Sequence, residues 1–286
     1  MMTLDLRLLV LILGIVAALP AGPQASLSRP LDDVVESGYL RIAVYREFEP
    51  FAFENDGDLK GIDVDIGKAM AASLKVEPRF MLLMADENVD DDLRNAIWKG
   101  ALLGGGVADV LMHVPVDPEV KLRNNLVVIF GRYYTEEMAV AANMSTVRNM
   151  VTMQPFLDEK IGAEVDTLAD FYIATAFGGR LRSNLVQYLT FAKAAEGLKN
   201  REVAGLMAPR SQVEWAANEI GPPIEVVQPS FPGLIITHWD VGAAVKHDSR
   251  DLGYALGDVI TELRQSGKMS EIFEKYGVRY NARFID

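Results

Sequence analysis

The chain has 286 residues, of which 50% are hydrophobic, and its formal net charge at pH 7 is -12. This share of hydrophobic residues supports a folded core in one or two domains and excludes an intrinsically disordered chain. The acidic balance argues against nucleic acid or an anionic membrane as the main partner. The chain has no cysteine, which excludes disulfides, thiol catalysis and cysteine-ligated metal sites.

Residues 8–19 form an apolar run that follows Arg7 and precedes a zone of small residues. The run is shorter than the roughly 20 residues that span a bilayer, and its form is typical of a secretory signal peptide. We therefore expect residues 1–25 to be removed and the protein to be exported to the periplasm, with a short membrane anchor as the alternative. A lipid anchor is not expected, because it requires a cysteine at the cleavage site.

The most informative segment lies between residues 40 and 70. Apolar and β-branched residues predict a buried strand at residues 40–45, and Pro50 ends it because proline has no backbone donor. Asp56-Gly57 favours a tight hairpin turn. A helix is predicted to begin at Ile62, with acidic residues in its first turn, where the helix dipole favours anions.

Two aromatic residues, Tyr45 and Phe48, follow from this arrangement as candidate binding residues. They lie at the carboxyl end of the first predicted strand, which is where ligands bind in open α/β sheets. Packing in the core is the other interpretation of these side chains.

Strands and helices alternate along the rest of the chain, which is typical of mostly parallel sheets covered on both faces. Strands are predicted at residues 77–84, 108–114, 136–142, 160–165, 202–207, 224–227 and 239–245. Helices are predicted from residue 93 and at 168–177, 191–199 and 252–264, followed by a second terminal helix, whereas 86–92 and 117–125 are predicted as an acidic turn and an irregular segment.

Two of these strands, 136–142 and 239–245, are predicted to cross between lobes. The first lobe would comprise residues 31–136 and 240–286, and the second 137–239. Two crossovers form a hinge, and closure around a ligand is the expected motion. The acidic residues at 86–92 lack the spacing of a calcium loop, so neither a metal nor a cofactor is expected.

The chain resembles family 3 extracellular solute-binding proteins, the periplasmic receptors of polar amino-acid ABC importers, in two separated segments. The first contains Pro50-Phe51, Asp56-Gly57 and residues 61–66, and the second extends from residue 241 to Glu274-Lys275-Tyr276-Gly277. The resemblance implies an α/β, two-lobed periplasmic-binding-protein type II fold, with mixed, mostly parallel sheets and two hinge crossovers. It also implies a monomer that closes like a flytrap on a small molecule and delivers it to an ABC permease.

In the resembled family an arginine binds the ligand's α-carboxylate and a carboxylate binds its α-amino group, as bidentate and ionic pairing require. The family's small hydroxyl residues correspond here to residues 113–116, which are His, Val, Pro and Val. The family's arginine falls near Arg123 when counted back from Phe130 and on Lys121 when counted forward from Asp109. Arg123 as a solvated loop charge is the alternative.

The second lobe departs from the family as well. The family's aspartate is absent after the strand at 202–207, where Arg210 offers the opposite charge, and Thr167 matches a family hydroxyl but also suits a helix cap. The candidate ligand-binding residues are Tyr45, Phe48, Met112, His113, Val114, Arg123, Thr167 and Arg210. They predict a ligand that is not a standard α-amino acid, but flatter and more apolar or anionic.

Two other functions stay open. Leu93-Arg94-Asn95 and residues 109–115 resemble a divergent branch of the fold, the accessory proteins of periplasmic quinoprotein (methanol-type) dehydrogenases, in which the cleft serves partner docking; that branch's cysteine-bearing first strand is absent. Cyclohexadienyl dehydratases are similar to the same fold. An enzyme needs a convergent acid–base set, and His113 is the sole histidine near the predicted cleft, so no catalytic residue is expected.

Overall fold

The computed structural model describes residues 29–101, 105–148 and 150–283. The predicted signal peptide lies outside the described residues. None of the helices in these ranges combines the length and the apolar composition of a membrane span. The strands are β1 (Tyr39–Tyr45), β2 (Phe53–Asn55), β3 (Asp58–Lys60), β4 (Glu77–Leu83), β5 (Val110–Pro115), β6 (Val127–Asn143), β7 (Ile161–Glu164), β8 (Leu185–Tyr188), β9 (Gly205–Pro209), β10 (Ile224–Val227) and β11 (His238–Lys246).

Helices cover the strands from both sides, and α3 continues into a π-helical turn, Arg94–Trp98. The α-helices of the described residues are α1 (Leu31–Ser37), α2 (Ile62–Ser73), α3 (Val89–Leu93), α4 (Pro118–Arg123), α5 (Leu168–Gly179), α6 (Phe191–Lys199), α7 (Arg210–Ile220), α8 (Arg250–Gln265) and α9 (Lys268–Lys275).

One mixed sheet runs through the molecule in the order β4-β1-β5-β11-β6-β9-β7-β8, and β10 pairs with the far end of β6. β1 is parallel to β4 and β5, and β7 is parallel to β8 and β9. β6 and β11 are antiparallel to their neighbours. We call the half that contains β4, β1 and β5 the first lobe and the half that contains β9, β7, β8 and β10 the second lobe.

The two halves are joined by β6 and β11. These strands pair from Val127 with Lys246 to Glu137 with His238, and beyond this stretch β6 pairs with β9 and β10 instead. The register of the pair shifts near Gly242, where an added Cβ would clash with the backbone carbonyl of Phe130. The crossing strands are therefore in backbone contact at a position that only glycine fits.

Each lobe has its own buried core, and aromatic residues join the two. Trp215 of α7 packs against the cores of both lobes, with ring centroids 6.0 Å from Phe53 and 6.1 Å from Phe191. The end of the chain adds a polar link, because the backbone N–H of Arg279 donates to the Glu214 carboxylate at 2.7 Å. α7 is thus held between the second-lobe sheet and the C-terminal segment of the first lobe.

Most predicted elements exist with small shifts of their ends. The strand at 224–227 and the helix at 191–199 have the predicted bounds, and the hairpin at Asp56-Gly57 joins β2 to β3. Both predicted crossovers are strands, but β6 is 17 residues long, far longer than predicted.

Several helices were not predicted from the sequence. Residues 117–125, predicted as irregular, contain α4, because Asp117 accepts hydrogen bonds from the N–H groups of Glu119 and Val120 and Pro118 occupies the first turn. Likewise the acidic stretch 86–92 contains most of α3, capped by Asn88. The strand β8 and the helices α1 and α7 were not predicted at all.

Candidate functional site

The candidate site is the gap between the lobes, onto which strands of both halves end. β1 ends at Tyr45 and β5 at Pro115 in the first lobe, and β7 ends at Glu164 in the second. The carboxyl ends of parallel strands share one edge of a sheet and are followed by its binding loops. Side chains from two separately folded halves are therefore presented to one space.

An apolar groove of about 580 Å³ occupies part of this gap, and we call it the interlobe groove. Pro115, Val116 and Val120 line it from the first lobe and Leu168 from the second, while the segment 235–240, which leads into β11, closes one side. Ile235 is 96% exposed and Ile236 is also exposed. The volume of the groove suits a small organic molecule.

Beside the groove, aromatic side chains form a packed floor in the first lobe. The ring of Phe48 lies 5.9 Å from Tyr45, 5.2 Å from Phe51 and 4.8 Å from His113, measured between centroids. The Tyr45 hydroxyl donates to Asp92 at 2.9 Å. Burial and the Asp92 charge raise the pKa of Tyr45, so this hydroxyl is a neutral donor that is already engaged.

His113 points into the first lobe and belongs to a buried polar group. Its ring lies 4.1 Å from Phe51, and its Nδ1 is 3.4 Å from Oδ2 of Asp63. Tyr133 donates to Oδ1 of Asp63 and accepts from the backbone N–H of His113. With only 11% of its side chain exposed, His113 holds the floor together and leaves little surface for a ligand.

The neighbours of His113 are also committed to packing. Met112 is fully buried in the main core of the first lobe, and Val114 is fully buried in a second core on the other face of the sheet. In this conformation neither presents surface to the cleft. The residues of β5 that do are Pro115 and, after it, Val116.

The basic residues predicted to bind an anion are paired with the protein's own carboxylates. Arg123 donates to Asp90 at 2.9 Å from a half-exposed position. Arg210 is 12% exposed and pairs with Glu137 and, at 2.6 Å, with Glu214. Arg123 and Asp90 form an ion pair within the first lobe. We call Arg210, Glu137 and Glu214 the hinge ion network.

The hinge network is electrostatically well matched. Burial raises the pKa of Glu137, but hydrogen bonds from Gln228 and Arg210 outweigh it, so the pKa lies below its ordinary value. The guanidinium of Arg283 donates a further hydrogen bond to the Glu137 carboxylate at 3.1 Å. Lys121, the alternative to Arg123, lines a different groove of the first lobe with Phe130 and Tyr254.

Thr167 acts as the cap of α5. Its hydroxyl accepts from the backbone N–H of Asp170 at 3.3 Å and donates to the carbonyl of Glu164 at 2.7 Å. Both bonds are local, so the role of a helix cap accounts for this residue.

Sequence reasoning missed two carboxylates, Glu49 and Glu164, that influence each other electrostatically. Glu49 follows β1, and Glu164 is the last residue of β7. Burial, and then the charge of Glu49, raise the pKa of Glu164 to about 7. Burial likewise raises the pKa of Glu49. Acidic residues at strand ends are commonly solvated, so no signal in the sequence distinguishes this pair.

Among the described residues, no group of three or more acidic or histidine side chains is arranged to hold a metal ion.

Several solved structures that share this architecture are named as amino-acid-binding proteins or receptors. An ancestral cationic amino acid solute-binding protein is 19% identical, with a TM-score of 0.68, over 86% of this chain and 98% of that one. An amino acid ABC transporter substrate-binding protein from Streptococcus pneumoniae, bound to L-arginine, is 17% identical, with a TM-score of 0.64, over 88% and 99%. The solute receptor for L-cysteine of Neisseria gonorrhoeae is 20% identical, with a TM-score of 0.60, over 87% and 93%. At these identities the likeness shows the fold, and no curated protein matches the sequence.

The model of the bacterial extracellular solute-binding proteins, family 3, matches residues 40–96. Over this segment the chain is similar to the family 3 solute-binding proteins. The match lies in the first lobe and covers β1, the hairpin and α2, which is the first of the two segments on which the predicted resemblance rests. The likeness to the solved structures over most of the chain confirms the predicted fold class.

Proposed function

We propose that this protein is a receptor that captures a small molecule by closing its two lobes around it. The observation that carries the proposal is the two-strand hinge: β6 and β11 join halves that both contribute side chains to the interlobe groove. A hinge of two strands permits rotation of one half against the other while each core stays intact. We assign residues 31–136 and 240–286 to the first lobe and 137–239 to the second.

We further propose that the ligand is not a standard α-amino acid. The position after β9 holds Arg210, whose guanidinium is paired with Glu137 and Glu214, so it offers no anion to an α-ammonium group. The positions after β5 hold Pro115 and Val116 and supply no side-chain hydroxyl. The solved relatives are named for arginine, cysteine and other amino acids; this site differs from what an α-amino acid requires.

Export to the periplasm and delivery to an ABC permease complete the proposal. The matching family is described as extracellular, and one structural relative is a substrate-binding protein of an ABC transporter. We propose that the protein works as a monomer.

The two alternative functions find less support. His113 is engaged with Asp63, Phe48 and Phe51, so it does not head an acid–base set open to the cleft, as a dehydratase requires. No observation on the described residues favours the docking of a dehydrogenase.

A thermal-shift screen with a library of periplasmic metabolites tests the receptor proposal. A ligand at about 100 times its Kd stabilises the folded state by about 2.7 kcal/mol, which raises Tm measurably. Small-angle scattering with and without the compound should show a decrease in the radius of gyration on closure.

A matched pair of variants tests whether the compound binds in the interlobe groove. Leu168→Arg introduces a charge into the interlobe groove and should abolish the shift. Leu122→Arg makes the same change at an exposed position of α4 and should leave the shift intact. Absence of any stabilising compound, or equal effects of the two variants, contradicts the proposal.

A further inference from the structure

The interlobe groove has apolar walls on both sides, and one wall is formed by exposed side chains. Leu168, Ile235 and Ile236 line the groove from the second-lobe side, and all three are exposed to solvent. Pro115 and Val116 line it from the first lobe. A single exposed apolar side chain is ordinary on a protein surface, whereas several that share one concavity mark a binding site.

Trp239 adds apolar surface to the groove at the place where the lobes join. It belongs to the first residues of β11, lines the groove, and packs against the main cores of both lobes. An aromatic side chain offers a large and rigid contact surface to a ligand. The groove is therefore apolar at the hinge as well as along its two walls.

The charged side chains of the groove already have partners within the protein. The carboxylate of Asp117 accepts hydrogen bonds from two backbone N–H groups of α4 at 2.8 and 3.0 Å. That of Asp240 accepts from the Thr135 hydroxyl at 2.8 Å and pairs with Arg132 at 3.4 Å. The described residues that line the groove include no lysine or arginine. An anionic group would meet no cation there, and a cationic group would compete for carboxylates that are engaged.

The other polar side chains of the groove offer hydrogen bonding to a neutral group. Thr237 and His238 both line the groove, and the Thr237 hydroxyl lies 3.3 Å from Nδ1 of His238. The second ring nitrogen of a histidine can bond to one hydroxyl or carbonyl group of a ligand. A ligand with one such group on an apolar body therefore matches the groove.

The hinge determines what covers these walls. Because the walls belong to different lobes, rotation about β6 and β11 brings them toward each other. Both walls and a molecule between them then lose contact with water together, which is favourable for apolar surface. A volume of about 580 Å³ is typical of small-molecule sites, whereas a protein segment placed between the walls would hold the lobes apart.

We propose that the interlobe groove binds a neutral, mainly apolar small molecule that carries a single hydroxyl or carbonyl group. The apolar body lies between the two walls, and the polar group faces His238. This inference rests on the receptor function proposed above and specifies its ligand class. Of the two ligand properties expected from the sequence, apolar and anionic, it keeps the first and rejects the second.

Three naphthalene compounds with the same ring system and different charge test the inference: naphthylmethanol, naphthoate and naphthylmethylammonium. Binding is measured by calorimetry and thermal shift at about pH 8, where histidine side chains are ordinarily neutral. The neutral compound should bind about tenfold or more tightly than either ion, with a negative change in heat capacity, because apolar surface is buried. Benzyl alcohol, which has one ring fewer, should bind about tenfold more weakly than naphthylmethanol.

A pair of serine variants assigns the binding to the groove. Ile235 is 96% exposed in the free protein, so Ile235→Ser should leave Tm without ligand unchanged and weaken naphthylmethanol by about fivefold. Leu122→Ser is the matched control. It removes a similarly exposed apolar side chain from α4, outside the groove, and should leave the affinity unchanged.

Three outcomes overturn the inference. One is that either ion binds as tightly as naphthylmethanol, another is that binding brings no negative change in heat capacity, and the third is that Ile235→Ser and Leu122→Ser have equal effects.

If none of the naphthalene compounds binds, the metabolite screen decides. A neutral apolar hit that Leu168→Arg abolishes supports the inference. A charged or strongly polar hit that the same variant abolishes overturns the inference and leaves the receptor function standing. If no compound of any kind stabilises the protein, the groove is left to a protein partner and both proposals fail.

Discussion

The hydroxyl of Tyr133 donates a 2.6 Å hydrogen bond to Oδ1 of Asp63, and neither side chain is more than 1% exposed. Tyr133 belongs to the hinge strand β6, and Asp63 belongs to the first turn of α2 in the segment that matches the family. The same hydroxyl accepts from the backbone N–H of His113 at 3.1 Å. The hydroxyl of Tyr133 therefore joins the hinge strand β6, the start of α2 and the end of β5 through two hydrogen bonds.

Removal of this hydroxyl should destabilise the protein strongly. We expect Tyr133→Phe to lower the free energy of unfolding by about 1–3 kcal/mol, because Asp63 and the His113 N–H lose a partner in a buried place. Urea unfolding followed by circular dichroism measures the loss. Tyr188→Phe is the control, since its hydroxyl bonds to Glu202 at the surface, and its loss should be clearly smaller. Equal losses would show that the buried hydroxyl has no special role.

The hinge ion network predicts a structural role for Arg210. Arg210→Met leaves Glu214 without its cation and Glu137 with Arg283 alone, and breaking such a pair costs about 3 kcal/mol. Urea unfolding of this variant and of Arg123→Met tests the difference, because the exposed pair of Arg123 with Asp90 should contribute little. A stable Arg210→Met variant that no longer responds to any ligand would instead assign Arg210 to ligand binding.

The pKa of Glu164 predicts how stability depends on pH. Its pKa is about 7 in the folded protein and 4.5 ordinarily, so the folded state binds more protons than the unfolded state between these values. The free energy of unfolding therefore falls as pH rises from 4.5 to 7. The contribution is complete below this window and lost above it. Tm measured across the window should show a downward slope in the parent protein that is reduced in Glu164→Gln and retained in Glu54→Gln.

Close contact between the crossing strands predicts that Gly242 tolerates no side chain. Gly242→Ala places a methyl group against the Phe130 carbonyl, and relief by backbone movement costs about 1–3 kcal/mol. Gly257→Ala in α8, whose nearest contact is an ordinary 3.5 Å from Phe130, should be neutral or stabilising. Thermal unfolding of both variants makes the comparison, and a neutral Gly242→Ala would contradict the close crossing.

The fold was predictable where short-range patterns carry the information. Residues 40–70 contain a strand, a turn dipeptide and a helix start in sequence, and each follows from local chemistry. α4 was missed because six residues with few apolar side chains give no periodic signal, and only its Asp117 cap reveals it afterwards. The first half of β6 was missed because Gly131, with a φ of +60°, interrupts the alternation of the strand.

The site was less predictable, because its chemistry depends on partners distant in the chain. The sequence predicts that Arg210 is a positive charge at the cleft, whereas the structure pairs it with Glu137, 73 positions away. His113 stands where the family places a hydroxyl, and only the fold shows that its ring turns toward Asp63. The raised pKa of Glu164 depends on burial and on the charge of Glu49, and no local pattern encodes either cause.

Both lobes form backbone hydrogen bonds with the single 17-residue strand β6. The alternation of side chains along this strand therefore sets which residues face the interior in each lobe. Insertion or deletion of one residue near its middle would turn every later side chain of that strand to the opposite face, reversing the second lobe's interior relative to the first. The length of β6 is therefore constrained by both lobes at once.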